Sequence, residues 1–387
     1  MYQDNLKISV ILSIYGNDGD LLRMLNCISA QTKIPDELLI INSLESTEVL
    51  KIIDQFQGIL NINYFFSNKR LLPGGSRNLG ILKSTFPLIA FLDSKTFPIK
   101  SWLQDSIQQL NLSNASVIYG KTQYQAKTEI QHIFILSTYG KKPVSSVPGT
   151  VLLKDIIEGI GEFNSHVRAG EDLEWKDRIN NNKTIKVQHS LKVNMLYDNM
   201  SENVFQEFFR SARNSWAASS INAQLNTRIL IFGLTCLSFL MIVPNWNRFL
   251  GGLIFLPNIT KIYFMILTIL LVGIYLIKPK IIKYFLQIFS LPLIVTIFIL
   301  QETNPAVFSM TINEEIRNLN YLFFGGLLII SFIFRAFIAP IRLGAKWDEL
   351  MPIRWVYMGF FGLINDLVKV PGYFLGAILS LKSIVSK

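Results

Sequence analysis

Cysteine is nearly absent from this chain: Cys27 and Cys236 are the two in 387 residues. Cys27 sits in a helical pattern and Cys236 in an apolar run, so they make neither a disulfide framework nor a zinc site. Histidine is as scarce, and His132, His166 and His189 do not form a close-spaced ligand set. No Walker A sequence is present. Gly74-Gly75-Ser76-Arg77-Asn78-Leu79-Gly80 is glycine-bearing but does not give G-x-G-x-x-G after a first strand, which disfavours ATP-loop and nicotinamide chemistry. The charge is basic, net +10, yet no basic stripe is interleaved with aromatics, which argues against nucleic acid as a partner. No signal-peptide pattern opens the chain. Residues 1–7 are polar and lead directly into a strand pattern, so the expectation is a cytosolic first half.

Apolar residues, by contrast, are abundant and unevenly spread. Half of the chain is hydrophobic and its mean hydropathy is +0.35. Residues up to about 225 have the composition of a globular domain long enough to bury one core. From Arg228 onward, apolar runs alternate with short polar links. Four spans are expected, at 229–243, 262–277, 284–300 and 321–338, the shorter ones using their flanks to reach the roughly 20 residues a bilayer requires. Lys278, Lys280 and Lys283 separate the second from the third, Glu302, Glu314 and Glu315 the third from the fourth, and Arg342 and Lys346 follow the fourth. The lysine and arginine bias places the Lys278 link and both chain ends on the cytosolic side. The same basic surplus suits anionic lipid and a diphosphate substrate.

Two further segments border these runs. Phe205, Phe208, Phe209, Ala212 and Trp216 recur at helical spacing over 203–218, beside Arg210 and Arg213. This is the pattern of an amphipathic helix lying in a membrane surface, or of a packing helix that leads into the membrane. Residues 352–381 are apolar but carry Asp366, Lys369 and Pro371, which points to a surface-lying helical hairpin rather than a fifth crossing.

In the first half, short apolar runs alternate with helical patterns. Strands are expected at 7–15, 37–42, 62–66 and 88–92, and helices at 21–30, 47–56 and 76–84. Such alternation gives an α/β fold with a mostly parallel sheet covered on both faces. Ligands then bind beyond the carboxyl ends of the strands. Tyr15, Asn42, Ser67 and Asp93 fall at those ends and should line one crevice. Asp93 closes the run Leu88-Ile89-Ala90-Phe91-Leu92, while Glu171 and Asp172 lie far downstream. Taken singly, Asp93 reads equally as the cap of a turn, and Glu171 and Asp172 as an acidic first helical turn.

The ordered set is more specific than its parts. Ile8-Ser9-Val10-Ile11-Leu12-Ser13-Ile14-Tyr15 is followed by Gln31-Thr32 before Pro35 and Glu37, then Arg77-Asn78-x-Gly80. Phe91-Leu92-Asp93, Gly161-Glu162-Phe163, Gly170-Glu171-Asp172 and Arg178 complete it. Over its first two hundred residues the chain resembles the family-2 glycosyltransferases, which have the GT-A fold. The resemblance implies transfer of a sugar from a nucleotide-diphosphate donor, with inversion. It makes Asp172 the catalytic base, assisted by Glu171. Tyr15, Asn42, Arg77, Asn78, Asp93 and Lys95 fall on donor-binding positions. Trp175 and Arg178 stand beside the acceptor, although Trp175 fits core packing equally well. Arg210, Arg213 and Trp216 fall at the membrane interface.

Two departures from the family pattern matter. Lys95 stands where the Asp-x-Asp motif has its second acid. An ammonium cannot coordinate Mg²⁺ or Mn²⁺, so three readings stand: an ion held by Asp93 and phosphate alone, Lys95 itself countering the diphosphate, or a decayed site. The second is favoured. Arg213-Asn214-Ser215-Trp216 replaces the Gln-x-x-Arg-Trp of membrane polysaccharide synthases, which argues against a processive enzyme. The expected organisation is a GT-A-like catalytic domain over 1–200, an interfacial helix and linker over 201–227, an all-α transmembrane domain over 228–340, and a cytosolic tail over 341–387. The expected enzyme is anchored in the cytoplasmic membrane and non-processive, with a lipid-linked saccharide as acceptor. The alternatives are a processive synthase and a catalytically silent membrane scaffold.

Overall fold

The structure is a computed structural model that describes residues 6–15, 19–219, 221, 325, 326 and 328–385. The chain divides into two compact units, one made of Met1–Glu207 with Arg342–Lys346, the other of Phe208–Ile341 with Trp347–Lys387.

The first unit is α/β. Its strands β1 (Ile8–Ile14), β2 (Glu37–Asn42), β3 (Ile62–Phe66) and β4 (Leu88–Asp93) pair in parallel in the order β3-β2-β1-β4. β1, β2 and β4 are almost wholly buried, as expected of strands covered on both faces. The sheet continues with β7 (Val144–Leu153), antiparallel to both β4 and β6 (Val117–Tyr124). The short strands β8 (Val187–His189) and β9 (Met195–Tyr197) run parallel to β6, and β5 (Phe97–Pro98) runs antiparallel to β9. The sheet is therefore mixed. Its antiparallel insertion was not legible in the strand–helix alternation.

Because side chains alternate along a strand, each strand feeds two cores. Val10 and Leu12 join one cluster, with residues of α1 (Leu21–Ser29), α2 (Thr47–Asp54) and α4 (Trp102–Ser113). Ile11, Ile41, Ile89 and Phe91 join the other, with Ile81 of α3 (Pro73–Lys83), Ile157 of α6 (Ile156–Ile160), and Trp175 and Ile179 of α7 (Glu171–Asn181). Helices α3 and α7, ninety residues apart in sequence, thus pack on one face of the sheet. A capping box formed by Thr128 and Gln131 starts α5 (Glu129–Thr138), which completes the helices before α6.

The second unit is helical. Helix α8 (Val204–Ser219) leads into it. Phe208 packs edge-on against Phe361, and Ser215 Oγ donates to the Lys369 carbonyl, while Phe209, Arg213 and Trp216 are exposed. A π-helical turn (Phe334–Ile338), α9 (Ala339–Arg342) and α10 (Trp347–Leu350) precede α11 (Arg354–Val385). The expected hairpin over 352–381 is instead one continuous helix with Pro371 inside it. Asp366, read as a break signal, is buried and forms a two-bond ion pair with Arg335. Pairing offsets part of the cost of burying the charge, so a break is not required there. Gly359 permits close approach here, since a Cβ would stand 2.5 Å from the Phe332 ring. Among the described residues, no helix is long and apolar enough to cross a membrane. The first three expected spans, with Lys278, Lys280, Lys283 and the three glutamates, lie outside the described residues, as do 321–324 and 327 of the fourth.

Candidate active site

Parallel register sets the first wall. Ser13 of β1 pairs with Asp93 of β4, Ile14 with Asn42 of β2, and Asn42 with Phe66 of β3. The Ser67 N–H donates to the Asn42 carbonyl at 3.0 Å. Tyr15, Asn42, Ser67 and Asp93 therefore share one edge, the carboxyl end of four parallel strands. Tyr15 is 47% exposed there, and the Arg70 guanidinium lies 5.1 Å from its ring centroid. Arg70 was missed in the sequence. It sits three residues past Ser67, in the loop leaving β3, and that placement was its one signal.

The second wall comes from α3 and α7. Pro73 fixes the first turn of α3, and Gly74 lets that turn approach the loop after α6, where a Cβ would stand 2.1 Å from the Asn164 carbonyl oxygen. One turn on, Arg77 points inward with 4% of its side chain exposed. It donates from one nitrogen to Glu171 Oε1 at 2.8 Å and from another to Asp93 Oδ1 at 3.0 Å. One guanidinium thus joins acids 78 residues apart in sequence. Gly170, with φ of 92°, turns the chain into α7 so that Glu171 and Asp172 open its first turn.

Electrostatics distinguishes the members. Burial opposes the charge on Arg77, but Asp93, Glu171 and Asp172 together raise its pKa above the ordinary arginine value. Burial pushes the Glu171 carboxyl up, outweighing Arg77. Asp93, with 38% of its side chain exposed against 5% for Glu171, is the member of the Arg77 pairings that meets solvent. Asp172 is part-exposed, with Oδ1 accepting from the Leu173 N–H at 2.8 Å. Four of the seven buried side-chain polar atoms without a partner among the described residues are Ser13 Oγ, Ser43 Oγ, Arg77 Nε and Glu171 Oε2. They cluster on the strand ends and the Arg77 fork, which marks this region as built for a polar ligand.

Several expected contacts are turned elsewhere. Asn42 is fully buried. Its Nδ2 donates to the Tyr64 hydroxyl and its Oδ1 accepts from the Leu44 N–H, so it shapes the turn after β2 rather than facing a base. Asn78 is engaged at both ends by Phe163: Nδ2 donates to the carbonyl and Oδ1 accepts from the N–H. Trp175 is 0% exposed. It stacks on Phe163 at 4.3 Å and donates to the Gly161 carbonyl, so its ring has no face for an acceptor sugar. Arg178 pairs with Glu174 and donates to the Ile160 and Glu162 carbonyls. Asn78, Trp175 and Arg178 together pin residues 160–163. An amide, an indole N–H and a guanidinium suit backbone groups as well as they suit a ligand.

The metal question turns on the donor set. Asp93 already receives Arg77, and the turn closed by the Thr96 N–H on the Asp93 carbonyl leaves Lys95 exposed. Among the described residues, no group of three or more His, Cys, Asp or Glu side chains could hold an ion. A hard divalent ion here would therefore depend on donor phosphate oxygens and water to complete its ligands beside Asp93.

Residues 9–138 match the family described as Glycosyl transferase family 2. The match takes in Arg77 and Asp93 and ends before Glu171 and Asp172. Over 186 residues, 44% of this chain and 60% of the relative, the chain is 23% identical to Glycosyltransferase AglE of Haloferax volcanii. Over 119 residues, 31% of this chain and 17% of the relative, it is 29% identical to an uncharacterized glycosyltransferase of Rickettsia bellii. The chain thus spans less than two thirds of the length of these curated relatives. Among solved structures, S. aureus TarS 1–349 in complex with UDP-GlcNAc is similar at a TM-score of 0.43 and 14% identity, over 96% of this chain and 92% of that one. S. aureus TarS is similar at a TM-score of 0.41 and 16% identity, over 63% of this chain and 47% of that one.

Proposed function

We propose that this chain is an inverting, non-processive glycosyltransferase that takes its sugar from a nucleoside-diphosphate donor. The observation that carries the reading is the Arg77 fork, which gathers Asp93 and Glu171, with Asp172 adjacent, beside the carboxyl ends of the parallel strands. The match of residues 9–138 to glycosyl transferase family 2 supports the same reaction class.

In the proposed step, the acceptor oxygen attacks the anomeric carbon on the face opposite the diphosphate. A carbon–oxygen bond forms as the bond from that carbon to the diphosphate oxygen breaks, and configuration inverts. Asp172 takes the acceptor proton, and the nucleoside diphosphate leaves with the bonding pair. A carboxylate serves as base when the hydroxyl lies within about 2.6–3.2 Å of it. Arg77 and Glu171 are positioning residues: their buried pairing fixes the helix start that presents Asp172. Tyr15 offers a ring face to the base, and Ser43 an unpartnered hydroxyl. Lys95 and Arg70 counter the charge of the departing diphosphate, with no step assigned to a metal.

The apolar runs after Arg228 support anchoring in the cytoplasmic membrane, with the first unit on the cytosolic side and a lipid-linked saccharide as acceptor. The exposed Phe209, Arg213 and Trp216 of α8 suit a membrane surface.

The test uses membranes or detergent-solubilised protein carrying the full chain. Nucleoside diphosphates should raise its melting temperature, and one labelled nucleotide sugar in a panel should be consumed. Asp172→Asn should lower turnover about a thousandfold, within the range for loss of a general base, while donor binding persists. Full turnover in that variant would reject Asp172 as the base. If no nucleoside diphosphate binds and no donor is consumed, the scaffold reading takes its place.

A further inference from the structure

A second polar cluster lies one helical turn beyond Asp172, outside every role assigned above. Sheet register assembles it. Lys121 of β6 stands opposite Ser145 of β7, and Tyr119, two residues earlier on the same face of β6, stands opposite His189 of β8. Lys176 of α7 reaches over this face. Its ammonium donates to Ser145 Oγ at 2.8 Å and to the Ser145 carbonyl at 3.2 Å, and lies 4.7 Å from the Tyr119 ring centroid. His189 Nδ1 shares Ser145 Oγ at 3.0 Å, and its ring lies 5.5 Å from that of Tyr119.

The cluster holds two lysines and an imidazole, with Asp172 and Asp177 as the carboxylates that act on it. Neither Lys121 nor Lys176 is within 4.0 Å of a carboxylate among the described residues. Asp172 and Asp177, on the same helix as Lys176, act on it at longer range. Burial first, then Lys176 and Lys121, lower the pKa of His189, and burial lowers that of Lys176. A part-exposed surface that carries two lysines, a hydroxyl and an imidazole favours an anion.

Position separates this cluster from the donor edge. Strands stand about 4.8 Å apart, so β6, three places from β1 in the sheet, is displaced by about 14 Å. Residues four apart on a helix stand about 5–6 Å apart and on one face. Lys176 therefore stands one helical turn from Asp172, the proposed base for the acceptor hydroxyl.

We infer that Lys121, Lys176, Ser145 and His189 form an acceptor subsite for an anionic group, a phosphate or a sugar carboxylate, about one helical turn from Asp172. The inference rests on the glycosyltransferase reading for the word acceptor, but the anion site itself is independent of it.

The test is calorimetric titration of the detergent-solubilised full chain with three probes: sn-glycerol 1-phosphate, methyl glucuronide and methyl glucoside. At least one charged probe should bind at least tenfold more tightly than the neutral one, and the tighter of the two distinguishes phosphate from carboxylate. Lys121→Gln with Lys176→Gln should remove that preference, while Lys121→Arg with Lys176→Arg keeps it. Nucleoside-diphosphate binding should be the same in all three proteins. Equal binding of charged and neutral probes, or full retention in the double Gln variant, overturns the proposal. If the Gln variant does not fold, the His189 ring resonance of the unaltered chain decides: a shift on adding the charged probe supports the site, and none overturns it. Failure of the unaltered chain to bind any nucleoside diphosphate would defeat the glycosyltransferase reading and leave the anion result standing.

Discussion

A buried arginine facing two carboxylates is strongly constrained chemically. Arg77 spans Asp93 and Glu171 because a guanidinium carries five N–H groups in a rigid fork, which no lysine reproduces. The two acids are not equivalent. Burial pushes the Glu171 carboxyl above its ordinary value, with Arg77 pulling the other way. A group raised on folding contributes stability that is fully present below its unfolded pKa and is lost as pH climbs through the folded one. Glu171→Gln keeps an acceptor for Arg77 and removes the titration. The variant should therefore gain stability relative to the parent as pH rises from the ordinary carboxylate range toward neutrality, as read by urea denaturation. A constant difference across that range would show that Glu171 does not titrate as described. Lys95 makes a separate prediction. It is exposed, two residues past Asp93, and pairs with no acid among the described residues. If it counters the diphosphate, excess chelator should leave turnover nearly intact and Lys95→Ala should lower it by about a hundredfold, an electrostatic loss of about 2.7 kcal/mol. Loss of turnover to chelator that Mn²⁺ restores would reject that role.

Elements differ in how clearly the sequence announces them. Strands β1, β2 and β4 were legible because strands buried on both faces are unbroken apolar runs. Strands β8 and β9 span three residues each and depend on partners more than sixty residues away, so no local pattern marks them. The site was legible in its acids and obscure in its supports. Asp93, Glu171 and Arg77 meet because α3 and α7 pack on one face of the sheet; the sequence motif assigned Arg77 to the donor and did not show that it joins the two acids. Asn78, Trp175 and Arg178 belong to the same motif but hold the loop at 160–163. Sequence spacing does not distinguish a side chain aimed at a ligand from one aimed at a peptide group. The difference is measurable. Asn78→Ala would leave the Phe163 N–H and carbonyl unpaired, at about 1–3 kcal/mol for a buried polar group. Its melting temperature should fall clearly in calorimetry, with nucleoside-diphosphate affinity per folded molecule unchanged. Weakened affinity without destabilisation would return Asn78 to the donor site.

At the scale of the molecule, the proposed reaction requires that donor, acceptor and enzyme meet on one side of a membrane. With a cytosolic pool of nucleotide sugar as donor, the proposed reaction would place the first unit on the cytosolic side. The apolar runs within 229–338 and the lysines between them provide an independent reading of the same orientation. Under the lysine and arginine rule, Lys278, Lys280 and Lys283 would put their link on the cytosolic side, and the link that carries Glu302, Glu314 and Glu315 would then face the opposite side. With Cys27 and Cys236 replaced by serine, Lys280→Cys and Thr303→Cys each supply a single reporter thiol. A membrane-impermeant maleimide should label Thr303→Cys in intact cells and Lys280→Cys only after permeabilisation. The reverse pattern would place the Arg77 fork and Asp172 away from the nucleotide pool, and the proposed transfer would then have no donor. Labelling of both sites from outside would mean that the run between them, 284–300, does not cross the membrane. Anchoring would then fall to surfaces such as the exposed Phe209, Arg213 and Trp216 of α8.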